Sequence, residues 1–164
     1  MEKLLKDYIE NRIEKSNKEK IQTPEICDFK FYNPFEQKII ETTLSIIMGN
    51  NNTGVYHIYK RHDSEGVRKA ITKIPELFNN KVIKDTLIEK RLDKIATDRV
   101  LVYRDNYLYI IGIPDLYSDK AASGKELYYL HDVYLFTQKD YNKLKGQQQS
   151  LLAEFILEHK KSAL

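Results

Sequence analysis

Apolar residues recur at helical spacing at the start of the chain. Leu4, Leu5, Tyr8, Ile9 and Ile13 alternate with Lys and Glu, which predicts a charged helix over residues 2–20 with a narrow apolar stripe. Such a stripe suits a solvated appendage packed by one edge, or a seam with a second copy. Thr23-Pro24-Glu25 interrupts the pattern, and residues 28–32 read as a short strand. Asn33-Pro34 then reads as an N-cap followed by a first-turn proline. It opens a predicted helix through Phe35, Ile39, Ile40, Thr43, Leu44, Ile46, Ile47 and Met48, which stops at Gly49-Asn50-Asn51-Asn52. Apolar on more than one side, that helix is expected deep in the core.

A second amphipathic pattern begins at Ser64, a candidate N-cap. Val67, Ala70, Ile71, Ile74, Leu77 and Phe78 form its apolar face, and Pro75 inside it is expected to kink or split the helix. Beyond Asp98 the spacing changes. Residues 100–103 and 107–111 are β-rich runs joined by Arg104-Asp105-Asn106, a hairpin pattern. Residues 127–137 form the longest strand candidate, reached through a loop from Pro114 to Glu126. Two helices, over 139–145 and 148–160, close the chain. The expected class is therefore α+β: N-terminal helices packed on one face of an antiparallel β-meander, with closing C-terminal helices. Residues 1–22 form the appendage and 23–164 a single domain.

Composition narrows the classes. Of the 164 residues, 41% are apolar and 31% charged, the balance of a soluble globular domain rather than a disordered or membrane-embedded chain. The single cysteine, Cys27, excludes an internal disulfide and multi-cysteine metal sites, and suits a small buried apolar position. No apolar run approaches the ~20 residues of a membrane span, and the start carries no secretory stretch, so a cytoplasmic location is expected.

The chemistry concentrates in His57-Ile58-Tyr59-Lys60-Arg61-His62-Asp63. His57 and Arg61 share a face whether the segment is strand or helix. His57 and His62, five apart, fall on opposite strand faces or about 140° apart around a helix, which disfavours a two-histidine metal site. No metal and no cofactor is expected. Cations beside a histidine favour its neutral form, the form that serves as a general base. Arg61 or Lys60 would then hold a phosphate and stabilise developing charge. These are the parts of a metal-independent ribonuclease. The same segment also describes a basic surface turn with one histidine buried and hydrogen-bonded. Between His57 and Arg104, twelve Lys/Arg face seven Asp/Glu, an excess of five positive charges that includes Arg99. That excess suits a polyanion footprint, or ordinary helix solvation. On the last strand, His131, Val133, Leu135 and Thr137 share one parity, while Asp132, Tyr134 and Phe136 share the other. His131 amid apolar neighbours fits a satisfied core position, and Thr137 fits a helix cap.

His57-x-x-x-Arg61-His62, followed by an amphipathic helix with Ile71-Thr72-Lys73-Ile74-Pro75-Glu76-Leu77 and then a β-meander, resembles phage-associated members of the barnase–EndoU–colicin–RelE-like nuclease group. The resemblance covers roughly residues 55–138, with Asp63 standing where such members tend to have Gly. It implies a helical part packed on an antiparallel sheet, with the RNase site on that sheet. It carries over His57, Arg61 and His62 as catalytic residues, and Tyr134 and Thr137 by their place on the last strand.

The function expected on these grounds is a metal-independent, toxin-like endoribonuclease that cleaves RNA through 2′-hydroxyl attack. Lys60, Tyr59, Arg99, Lys120 and Lys125 are the candidate substrate-binding residues, the last two in the Pro114–Glu126 loop. RNA, including tRNA, is the expected partner, alongside a cognate immunity or antitoxin protein, with no membrane association and a homodimer through the first helix as an option. The alternative is a non-enzymatic interaction module, an immunity or inhibitor protein that binds a partner through a Tyr-rich sheet.

Overall fold

The computed structural model describes residues 25–46, 54–62, 64–89, 99–112, 124–145 and 151–162. The predicted first helix, with its dimer seam, and most of the Pro114–Glu126 loop lie outside these residues.

The segment expected as a core helix from Asn33 is instead the turn and second strand of a β-hairpin. Strand β1 (Glu25–Asn33) pairs antiparallel with β2 (Lys38–Ser45), with Phe31 opposite Ile40. Asn33 does cap, but it caps a turn. Its Oδ1 accepts from the backbone N–H groups of Phe35 at 2.9 Å and Glu36 at 3.3 Å, and Gln37 takes φ 54°. An Asx turn and a helix N-cap use the same side-chain acceptor, so Asn-Pro alone does not separate them. From Thr42 to Ile46 every residue is buried. A strand covered on both faces loses its alternation, here with Thr42, Thr43 and Ser45 buried alongside Leu44 and Ile46, so periodicity does not distinguish it from a buried helix. The β-branched Ile39, Ile40, Thr42 and Thr43 favour the strand.

The framework is a single seven-stranded mixed sheet in the order β3-β1-β2-β7-β6-β5-β4. Its other strands are β3 (Val82–Ile83), β4 (Leu87–Glu89), β5 (Arg99–Arg104), β6 (Tyr107–Gly112) and β7 (Glu126–Leu135). The antiparallel meander β5-β6-β7 is present, with Asp105 and Asn106 both at positive φ in its first turn, the backbone of a tight hairpin. It is only part of the sheet. β7 pairs parallel with β2, Thr43 opposite Leu127, and β3 pairs parallel with β1. The expected α+β arrangement on an antiparallel meander is therefore incorrect. Residues 28–32 are strand as expected, within β1, whereas the stretch expected as a helix over 33–48 supplies β2, the strand that joins β1 to the meander.

The helices lie on both faces rather than one. On the first face pack α1 (Gly54–His62), α2 (Glu65–Thr72) and α3 (Ile74–Phe78). Ile58, Val67, Ile71, Ile74 and Phe78 join Phe29, Phe31, Val102, Tyr109 and Val133 in one buried cluster. Each fully buried side chain of this size contributes about 1.5–3 kcal/mol. On the second face Leu101, Tyr103, Leu108 and Phe136 pack with Phe155 and Ile156 of α5 (Leu151–Ser162), which follows α4 (Gln138–Lys145). Ser64 caps α2 by accepting from the Val67 N–H at 3.1 Å, and Pro75 stands in the first turn of α3, where its missing N–H is harmless. The buried Tyr109 hydroxyl donates to the Ala70 carbonyl at 2.9 Å and ties α2 to the sheet.

Candidate active site

Residues 54–62, compatible with strand or helix by sequence, form helix α1. Gly54 opens it at φ 85°, a conformation that a side chain would strain. Ile58 is fully buried and anchors α1 against the sheet. One residue earlier, His57 is half-buried and turned toward β7. Its Nε2–H donates to Oδ2 of Asp132 at 3.2 Å, and the two side chains are 17% and 10% exposed. The other carboxylate oxygen of Asp132 accepts from the Val133 N–H at 2.8 Å. Both oxygens are thus held, and the carboxylate in turn orients the imidazole. With Nε2 as donor, Nδ1 is the basic nitrogen of the neutral ring.

The strand beneath is irregular where it meets the helix. Ile110 opposes Asp132 while Ile111 opposes Leu130, so β7 carries one extra residue, a β-bulge at His131. The even alternation expected along this strand therefore breaks. Leu130 and Val133 are three apart and belong to the same buried cluster, where strict parity would separate them. The ring of His131 lies 6.5 Å from that of His57, centroid to centroid.

Of the expected catalytic residues, the structure brings His57 and Arg61 onto one helix. Arg61 lies one turn beyond His57 and is exposed, as is Lys60. His62 ends α1; its side chain and that of Tyr59 lie outside the described residues, as does Lys120. Tyr134 lies elsewhere. It packs with the second-face cluster and stacks on Phe136 at 6.4 Å. Burial, then the charges of Asp132, Asp140 and Glu89, pushes its phenol up to about 12, so it is a neutral hydrogen-bonding group at ordinary pH. Thr137 is a cap. Its Oγ1 donates to Oδ2 of Asp140 at 2.8 Å, and its backbone N–H reaches the same oxygen at 2.9 Å. Lys125 pairs with Asp28 at 3.9 Å, at the far end of β7, about 20 Å along the strand from Asp132. Arg99 is half-buried at the start of β5.

Asp132 is the site residue that sequence reasoning missed. A signal was present: a carboxylate in mid-strand, between Leu130 and Val133, needs a partner if buried. Sequence could not name that partner, which comes from 75 positions away. Of the tyrosines on the described strands, Tyr103, Tyr109 and Tyr129 are buried, Tyr107, Tyr128 and Tyr134 are half-buried, and Tyr32 is exposed. Among the described residues no group of three His, Cys, Asp or Glu is placed to hold a metal ion, and no helix is long and apolar enough to cross a membrane.

No family model and no solved structure matches the chain. An uncharacterized protein of Aquifex aeolicus, aq_aa27, is 27% identical over 127 residues, a match covering 75% of this chain and 49% of the relative. The match thus spans about half the length of that relative.

Proposed function

We propose that the protein is a metal-independent endoribonuclease whose general base is His57. The observation that carries this reading is the 3.2 Å hydrogen bond from His57 to the buried Asp132. A carboxylate that fixes the tautomer and orientation of an imidazole, and stabilises it once protonated, is the supporting pair of general-base catalysis. His57 Nδ1 takes the ribose 2′-hydroxyl proton, and the alkoxide attacks the adjacent phosphorus. Arg61 and Lys60, exposed on the same helix, offset the charge that grows on the phosphate oxygens. The P–O5′ bond breaks and leaves a 2′,3′-cyclic phosphate and a 5′-hydroxyl end. RNA, including tRNA, is the substrate class because only a ribose supplies the internal nucleophile.

The test is incubation of the purified protein with total RNA and with tRNA in EDTA, with end-group analysis. Cyclic phosphate ends that disappear with His57→Ala and with Asp132→Asn are expected. Intact RNA, or cleavage that persists in His57→Ala, overturns the proposal.

A further inference from the structure

The β-bulge in β7 places a second titratable ring beside the first. His131 is the inserted residue, between Leu130 opposite Ile111 and Asp132 opposite Ile110. Bulges re-aim the side chains they carry. Here the half-buried His131 ring ends 6.5 Å from that of His57, with the planes tilted by 31°. A regular strand of the same sequence would point His131 and Asp132 to opposite faces. The bulged strand brings both to the α1 residue that the ribonuclease reading uses.

We propose that His131 is the second proton-transfer residue of this site, the acid that protonates the leaving oxygen while His57 acts as base. This rests on the ribonuclease reading. The attacking and leaving oxygens lie on either side of one phosphorus, and each needs a ring nitrogen at about 3 Å. Two imidazoles several ångströms apart meet that requirement, whereas a single ring does not. The 2′-hydroxyl proton passes to His57, the 2′-O–P bond forms, the P–O5′ bond breaks, and O5′ takes a proton from protonated His131. Exchange with water resets both rings.

Leaving-group replacement tests the assignment. The probes are a short oligoribonucleotide with one cleavable ribose, and the same oligonucleotide with sulfur in place of the bridging 5′-oxygen at that bond. A thiolate leaves without needing a proton. His131→Ala is expected to cut the oxygen substrate at least ~100-fold more slowly, the usual scale for a lost acid, and to cut the sulfur substrate within a few-fold of wild type. His57→Ala should be slow on both. Equal slowing of His131→Ala on the two substrates, or no slowing on either, overturns the proposal. If the alanine variant melts early, His131→Gln is measured in the same way and judged by the same outcomes. A wild-type protein that cuts neither probe removes the ribonuclease reading itself, and this assignment with it.

Discussion

Asp132 and His57 meet at 3.2 Å where helix α1 packs on strand β7, with the carboxylate buried and the imidazole at its rim. Asp132→Asn keeps the shape but offers His57 a neutral partner that no longer stabilises an imidazolium. RNA cleavage should fall by about 10²–10⁴-fold while the melting temperature stays close to wild type. Single-turnover rates set against thermal melts check this, and wild-type rates in the variant would remove Asp132 from the site.

Thr137 should prove structural. Thr137→Ala removes the cap shared with Asp140 and is expected to destabilise the fold by about 1 kcal/mol with cleavage unchanged. Denaturant titration and an RNA assay on the same sample decide it.

Asp140 gives the cap a pH dependence. Partial burial works against its ionisation, but the Thr137 hydrogen bonds and the charges of Lys143 and Lys139 outweigh it and hold the carboxyl below its ordinary 3.8. A group lowered on folding adds stability above its unfolded value and loses it as pH falls through the folded one. The stability difference between wild type and Asp140→Asn should therefore be steady near neutrality and shrink below about pH 4. A difference that grows on acidification would reverse the sign.

Tyr134 contributes to the alkaline side, together with Cys27 and Tyr109, which burial also pushes up. The Tyr134 phenol rises from 10.0 to about 12 on folding, so the unfolded chain ionises first. The stability this contributes is complete below pH 10.0 and is lost as pH climbs toward 12. Tyr134→Phe should reduce the alkaline loss by the Tyr134 share, leaving that of Cys27 and Tyr109, and leave RNA cleavage intact. Reduced cleavage in Tyr134→Phe would return the residue to the site.

Phe78 sits at the meeting of α3 and the sheet, fully buried, 5.3 Å from the Phe29 ring and 5.8 Å from that of Tyr109. Phe78→Ala should cost about 3–5 kcal/mol, read from urea unfolding. A loss under 1 kcal/mol, well below that range, would place the core elsewhere.

Local chemistry was legible along the chain wherever one side chain or one turn decides the outcome. Ser64 caps α2, Pro75 separates α3 from it, Asp105-Asn106 turns the β5–β6 hairpin, and His57 and Arg61 share one side of a helix. Two things only the tertiary structure decided. The first is the state of residues 33–46. Asn33 satisfies an Asx turn as well as a helix start, and a strand buried on both faces shows no alternation to set it apart from a core helix, so pairing with β1 and β7 made the choice. The second is the site partner. Asp132 and His131 are placed by a bulge, whose register depends on the neighbouring strand β6, and they meet His57 because α1 docks on β7. Sequence spacing governs what happens within one helix or strand, whereas contacts between elements follow from how those elements pack.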